Sequence, residues 1–124
     1  MVIDTSALLA VFFNEALADW VAERLAANAG DLSMSTVNLA ELLIRVRDRQ
    51  PKLANRIDEE IMSSGIRFVP PDSPQAHVAA QARLRWPLNL GDCFAYALAV
   101  AEDAPILTLD RDFRATDRPL VAPW

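Results

Sequence analysis

The chain has 124 residues, of which 52% are hydrophobic and 23% charged. This balance excludes an intrinsically disordered chain, and its length fits a single domain over residues 1–124. No stretch approaches the roughly 20 apolar residues that span a bilayer, which argues against a membrane protein. The net charge of −5 argues against a general basic surface for nucleic acid.

The cysteine content and the start of the chain point to a cytoplasmic protein. Cys93 is the sole cysteine, so no internal disulfide can form, and this suits a reducing compartment. Asp4 interrupts the first apolar run and no basic segment precedes it, so we expect no secretory signal.

Short apolar strands alternate with helices in the first half of the chain. Leu39, Leu42, Leu43 and Val46, for example, recur at helical spacing before Pro51. The elements predicted here are, in chain order, a strand over 1–4, helices over 5–13 and 15–27, a strand over 31–35, and helices over 37–49 and 51–64.

The second half continues this alternation. The predicted elements are a strand over 66–69, a helix over 73–84, a loop over 88–91, a helix over 92–102, a strand over 105–109 and a short strand over 120–121. The helix over 92–102 is apolar nearly all round, so it should be central. Alternating strands and helices predict βα units and a mostly parallel sheet of four to five strands.

Four acidic residues lie where predicted strands and helices meet: Asp4, Glu41, Asp92 and Asp110. Each has an ordinary structural reading when taken alone. Asp4 could cap a helix, Glu41 and Asp92 could form capping boxes with Asn38 and Asn89, and Asp110 could be a turn residue.

The four acids taken together favour a shared site. Asp4 and Asp110 end parallel strands, and ligands of open α/β sheets bind at the carboxyl ends of the strands. Glu41 and Asp92 lie near helix starts, which face the same edge. Gathered carboxylates raise each other's pKa unless a cation lies among them, so we predict a site for Mg²⁺ or Mn²⁺. Such a site can stabilise charge on a phosphoryl oxygen.

Four sequence motifs carry a resemblance to a known family. They are Val-Ile-Asp-Thr-Ser-Ala-Leu-Leu at 2–9, Ser-Thr-Val-Asn-Leu-Ala-Glu-Leu-Leu at 35–43, Leu-Gly-Asp-Cys-Phe-Ala-Tyr-Ala-Leu-Ala at 90–99 and Ile-Leu-Thr-Leu-Asp-Arg-Asp-Phe at 106–113. In this order they resemble PIN-domain ribonucleases, specifically the VapC-type toxins of toxin–antitoxin pairs. The stretch 52–85 carries no motif of this family.

The resemblance implies a three-layer α/β/α fold and metal-dependent cleavage of RNA. It also implies a VapB-like antitoxin partner and a homodimer of the toxin. The family's metal ligands correspond to Asp4 and Asp92, with Glu41 and Asp110 as the other catalytic acids. Asp112 could share or replace the role of Asp110.

Several neighbouring polar residues could orient the carboxylates by hydrogen bonds: Thr5, Ser6, Asn38 and Thr108. Ordinary turn or cap hydrogen bonds remain an equal alternative for these residues.

Other enzyme classes find little support in the sequence. His77 is the sole histidine and is expected at the surface, so a Ser–His–Asp or Cys–His mechanism would depend on it entirely. An aspartyl-phosphate phosphatase using Asp4 would need a second Asp where Ser6 stands. The main alternative is a non-catalytic metal- or peptide-binding module on the same fold.

Overall fold

The computed structural model describes residues 1–124, and at its centre lies a five-stranded sheet in which every strand pair is parallel. The strand order is β3-β2-β1-β4-β5. The strands are β1 (Val2–Ile3), β2 (Ser33–Ser35), β3 (Arg67–Val69), β4 (Ile106–Leu107) and β5 (Leu120–Val121). Each lies within a predicted strand, and the predicted parallel sheet is confirmed.

Six α-helices and two short 3-10 helices connect the strands. The α-helices are α1 (Thr5–Phe12), α2 (Ala18–Ala27), α3 (Thr36–Arg49), α4 (Ala54–Met62), α5 (Ser73–Arg85) and α6 (Leu90–Glu102). The 3-10 helices cover Pro51–Leu53 and Arg111–Ala115. None of the helices combines the length and the hydrophobicity that a membrane crossing requires.

Two hydrophobic clusters, one on each face of the sheet, give the three-layer α/β/α architecture. Ile3 and Leu107 belong to the cluster with α1 to α4, whereas Val2 and Ile106 belong to the cluster with α5 and α6. Consecutive strand residues point to opposite faces, so each two-residue strand contributes one side chain to each cluster. The predicted fold class is therefore confirmed.

Three predicted helix boundaries are wrong. The helix predicted over 15–27 begins only at Ala18, because the chain turns at Asn14, which has a φ of 50°. The helix predicted over 51–64 is divided into a 3-10 turn and α4. The central helix begins at Leu90 rather than at Asp92, because the side chain of Asn89 caps it.

The site is positioned by the ends of β1, the central strand, and of its neighbour β4. Val2 pairs with Ile106 and Ile3 with Leu107, so the chain leaves both strands at the same edge of the sheet. Asp4 follows directly after β1, and its backbone N–H donates to the carbonyl of Leu107 at 3.0 Å. This edge therefore brings the Asp4 and Asp110 segments together.

Candidate active site

A cavity of about 180 Å³ opens at the carboxyl edge of the sheet. Its lining residues are Asp4, Thr5, Ser6, Leu9, Glu41, Arg45, Asn89, Asp92 and Asp110. Four larger cavities, of about 230 to 350 Å³, are lined mainly by hydrophobic side chains and contain at most one acid each. The structure thus brings the four predicted acids to one cavity.

Asp4 is buried and one of its two oxygens is held firmly. The hydroxyls of Ser6 and Thr108 donate to Asp4 Oδ2 at 2.6 and 2.9 Å, and the backbone N–H of Ser6 donates to it at 3.3 Å. Asp4 Oδ1 takes part in none of these bonds. The predicted helix cap and the predicted site position are therefore both present, since Asp4 caps α1 through one oxygen and lines the cavity.

The environment of Asp4 disfavours its negative charge in the metal-free protein. Burial raises the pKa of the Asp4 carboxyl, the hydrogen bonds from Ser6 and Thr108 oppose this shift, and the charge of Glu41 adds to it. Two hydroxyl donors on one oxygen fix the side chain in one orientation, so its free oxygen has a defined position.

Asp92 lies in the first turn of α6, in the capping box that the sequence predicted. Its Oδ2 accepts the backbone N–H of Asn89 at 3.1 Å, while Asn89 Oδ1 accepts the backbone N–H of Asp92 at 2.8 Å. Burial, together with the negative charges of Asp4, Asp110 and Glu41, raises the pKa of Asp92 to about 7, although the hydrogen bond from Asn89 opposes the shift. The two buried carboxylates, Asp4 and Asp92, therefore disfavour each other's negative charge.

Glu41 occupies the cavity, but not through the capping box suggested by its spacing from Asn38. Ser35, not Asn38, caps α3, because its hydroxyl accepts the N–H of Val37 at 3.3 Å. The Glu41 carboxylate instead lies against the start of α6. A Cβ added at Gly91 would come 2.7 Å from Glu41 Oε2, so the absence of a side chain there makes room for the carboxylate.

Asn38 is fully buried and ties together the starts of three helices. Its Nδ2 donates to the carbonyl of Gly91 at 2.9 Å and to Thr5 Oγ1 at 3.3 Å, while Thr5 Oγ1 lies 3.3 Å from the carbonyl of Asn38. Its side-chain oxygen has no hydrogen-bond partner within the protein. Asn38 thus fixes α3, which carries Glu41, relative to α6, which carries Asp92.

Thr108 connects Asp4 with the Asp110 segment. Besides donating to Asp4, its hydroxyl accepts the backbone N–H of Asp110 at 3.0 Å. Asp110 Oδ1 in turn accepts the N–H of Asp112 at 2.9 Å, so Asp110 also has the predicted turn role. Oxygens of Asp92, Asp110 and Asp112 all lie within 4.8 Å of one another. Asp112, which is exposed, is close enough to share the site.

The donor set fits a hard divalent cation. Every acid that lines the cavity offers carboxylate oxygens, which Mg²⁺ and Mn²⁺ prefer. Oxygens of two ligands of one Mg²⁺ are at most about 4.2 Å apart, so the 4.8 Å group of Asp92, Asp110 and Asp112 would have to close inward to share one ion. A cation would also offset the repulsion that raises the pKa of Asp92.

Two polar residues that line the cavity, and the apolar Leu9, were not among the predicted site residues. Asn89 lines it while capping α6. Arg45 also lines it, whereas from the sequence it is, like Arg47 and Arg49, only a candidate for contact with the RNA backbone, with a solvated helix face as the favoured alternative. The signal that could have found Arg45 is its spacing, because it follows Glu41 by one helical turn and so lies on the same face of α3.

Other residues have the positions expected of them. His77 is exposed and lies away from the cavity, and Cys93 is buried in the core at 2% exposure. Neither can serve as a nucleophile or base at the acidic site.

A family model described as the PIN domain matches residues 1–119. The chain belongs to the PIN-domain family. Ribonuclease VapC42 of Mycobacterium tuberculosis is 35% identical over 127 residues, covering 94% of this chain and 95% of the relative. Ribonuclease VapC of Mycolicibacterium smegmatis is 36% identical over 125 residues, covering 94% and 96%. This PIN-domain chain is thus a member of the VapC-type group, as its motifs indicated.

Two solved structures have a similar fold. VapC20 of Mycobacterium tuberculosis, described as a sarcin-ricin loop cleaving toxin, superposes with a TM-score of 0.84 at 19% identity and covers 98% of both chains. The FitAcB structure from Neisseria gonorrhoeae gives a TM-score of 0.79 at 24% identity, covering 99% of this chain and 97% of that one. At these identities the likeness establishes the fold alone.

Proposed function

We propose that this PIN-domain protein is a metal-dependent endoribonuclease that acts in the cytoplasm as the toxin of a type II toxin–antitoxin pair. The observation that carries the proposal is the meeting of Asp4, Glu41, Asp92 and Asp110 in one cavity. These residues come from four separate chain segments, so four unrelated capping events are a poorer explanation than a common site. Relatives at about 35% identity are named as VapC ribonucleases.

We assign the metal to Asp4 and Asp92, with Glu41 and Asp110 completing the acid cluster directly or through water. Asp4 would use Oδ1, because Oδ2 is occupied by Ser6 and Thr108. Asp92 would use the oxygen that does not accept from Asn89. When bound, Mg²⁺ or Mn²⁺ would activate the attacking water and stabilise negative charge on the phosphoryl oxygens.

The remaining chemistry falls to the protein's own groups. Ser6 and Thr108 hold the Asp4 carboxylate so that no reorientation is needed during reaction. Asn38 fixes the distance between Glu41 and Asp92 by joining their helices. The starts of α1 and α6 also face the cavity, and the partial positive charge at helix N-termini favours bound anions there.

We further propose a VapB-like antitoxin as the partner and a homodimer as the assembly of this protein. The antitoxin is supported by the relatives of this chain, which carry the VapC name, and by the similar fold of a chain in a VapBC2 structure from Rickettsia felis. The homodimer rests on the family resemblance.

A metal-dependence assay on purified protein tests the proposed activity. RNA cleavage should require Mg²⁺ or Mn²⁺, disappear with EDTA and return when the metal is restored. Asp4→Asn and Asp92→Asn should each reduce cleavage by at least about 100-fold while the protein remains folded. The matched control is Asp19→Asn, which removes an exposed acid of α2 and should leave cleavage unchanged.

Two outcomes would contradict the proposal. Cleavage that survives chelation would exclude a metal-dependent mechanism. Mn²⁺ binding without cleavage of any RNA would instead favour the non-catalytic binding module.

A further inference from the structure

We propose that Arg45 is a substrate-positioning residue that binds an RNA phosphate next to the one being cleaved. This inference rests on the proposed ribonuclease function and adds a specific contact to it. Arg45 is the one basic side chain that lines the acid cavity. It is exposed, so a bound polynucleotide can reach it from solvent.

The guanidinium of Arg45 is free although an acid lies one turn away. Glu41 precedes Arg45 by four residues on α3, and this order and spacing favour an ion pair on a helix surface. No such pair forms, and Arg45 takes part in no salt bridge with any acid of the chain. Glu41 instead directs its carboxylate to Gly91. Arg45 therefore remains available for another anion.

The two following arginines of α3 are already engaged. Arg47 Nη2 lies 2.8 Å from Asp58 Oδ2 in α4. Arg49 Nη1 lies 3.2 Å from Glu15 Oε1, and its guanidinium also stacks over the ring of Phe13 at 4.0 Å. Helix α3 thus presents one unpaired guanidinium, which belongs to an exposed residue that lines the acid cavity.

The negative charge of the acid cavity explains why an RNA substrate would need a basic side chain there. A phosphodiester that approaches four carboxylates is repelled, and a metal can neutralise only the phosphate it contacts. A neighbouring phosphate needs its own cation, and the planar guanidinium can donate two hydrogen bonds to phosphate oxygens. Since the whole chain carries a net charge of −5, such a local contact matters more than any general basic surface.

Steady-state kinetics on Arg45 variants tests this role. The substrate is the shortest oligoribonucleotide that the wild-type protein cleaves in Mn²⁺, identified by sequencing the cut ends of total RNA. A contact made equally in the ground state and the transition state changes KM and not kcat. Arg45→Ala should therefore raise KM about tenfold with kcat within about twofold of wild type.

Two further measurements distinguish a phosphate contact from a structural role. The slope of log kcat/KM against log salt concentration should become shallower by about 0.7 in Arg45→Ala, as expected for one lost phosphate contact on single-stranded RNA. Arg45→Lys, which keeps the charge, should recover most of the KM. The matched control, Arg47→Ala on the same helix, should leave KM and the salt slope unchanged.

The possible results separate this inference from the proposed function. If the wild-type protein cleaves RNA and Arg45→Ala has an unchanged KM and salt slope, the Arg45 assignment is wrong. The same holds if the variant loses thermal stability and kcat together, because that result indicates a structural role. A wild-type protein that cleaves no RNA overturns the proposed function, and the Arg45 assignment with it.

Discussion

The carboxylate of Glu41 packs directly on Gly91, in the first turn of the helix that carries Asp92. A Cβ at Gly91 would lie 2.7 Å from Glu41 Oε2 and 3.1 Å from Glu41 Oε1. The two residues are 50 positions apart in sequence, yet the lack of a side chain at Gly91 determines where the carboxylate of Glu41 can lie. Glycine at position 91 therefore suits the site rather than the helix, because the helix itself would tolerate alanine better.

Gly91→Ala should separate activity from stability. The added methyl group would displace the flexible end of Glu41, so cleavage should fall at least about tenfold, while the helix gains up to about 1 kcal/mol from the better helix former. Activity assays and thermal unfolding of the same samples measure both effects. In a double-mutant cycle, Glu41→Gln should cost much less in the Gly91→Ala background. Full additivity of the two substitutions would show that they act independently.

The metal-free protein should lose stability as pH rises from about 4 through 7. Burial raises the pKa of Asp92 from an ordinary 3.8 to about 7, so the folded protein binds more protons than the unfolded chain between these values. Stability falls with rising pH wherever the folded state binds the additional proton. In EDTA we therefore expect a melting temperature at least about 4 °C higher at pH 5 than at pH 8.

Asp92→Asn provides the control for this pH dependence. The substitution removes the titrating group, while the asparagine oxygen can still accept the N–H of Asn89. The variant should melt higher than the wild-type protein at pH 8 in EDTA, and its melting temperature should depend less on pH. A pH dependence equal to that of wild type would place its origin elsewhere in the chain.

Thr108→Val should impair both the site and the fold, because it replaces a hydroxyl by a methyl group of similar size. Asp4 would lose a donor at 2.9 Å, and the backbone N–H of Asp110 would lose its acceptor at 3.0 Å. We expect a loss of about 1–3 kcal/mol in unfolding free energy and a marked loss of cleavage. Thr108→Ser keeps the hydroxyl and should retain most of both properties. Equal behaviour of the two variants would exclude the hydroxyl as the important group.

Asp110 should contribute more than Asp112 to metal binding and cleavage. Asp110 is half-buried and lines the cavity, whereas Asp112 is exposed, although oxygens of both belong to the 4.8 Å group with Asp92. Asp110→Asn should weaken Mn²⁺ binding, measured by calorimetry, by at least about tenfold, and Asp112→Asn should do so less. The reverse order would make Asp112 the fourth acid.

The parallel sheet and the location of the site at its carboxyl edge could be predicted without coordinates. Apolar strands alternating with helices predict a parallel sheet, because parallel strands need crossover connections. Acids placed directly after such strands, as Asp4 is, can be assigned to the carboxyl edge without coordinates. The capping box of Asn89 and Asp92 was also predictable, since it depends only on residues three positions apart.

The pairing of the side chains at the site could not be predicted in the same way, because it depends on contacts between distant segments. Asn38 and Glu41 have the same three-residue spacing as a capping box, but Asn38 bonds to Gly91 and Glu41 packs against it. The guanidinium of Arg45 is likewise unpaired because the carboxylate of Glu41 lies against Gly91 and not beside Arg45. These contacts join α3 to α6, between residues that are 50 or more positions apart in sequence. The spacing of residues within α3 cannot show that a glycine of α6 will lie beside Glu41 and leave room for its carboxylate.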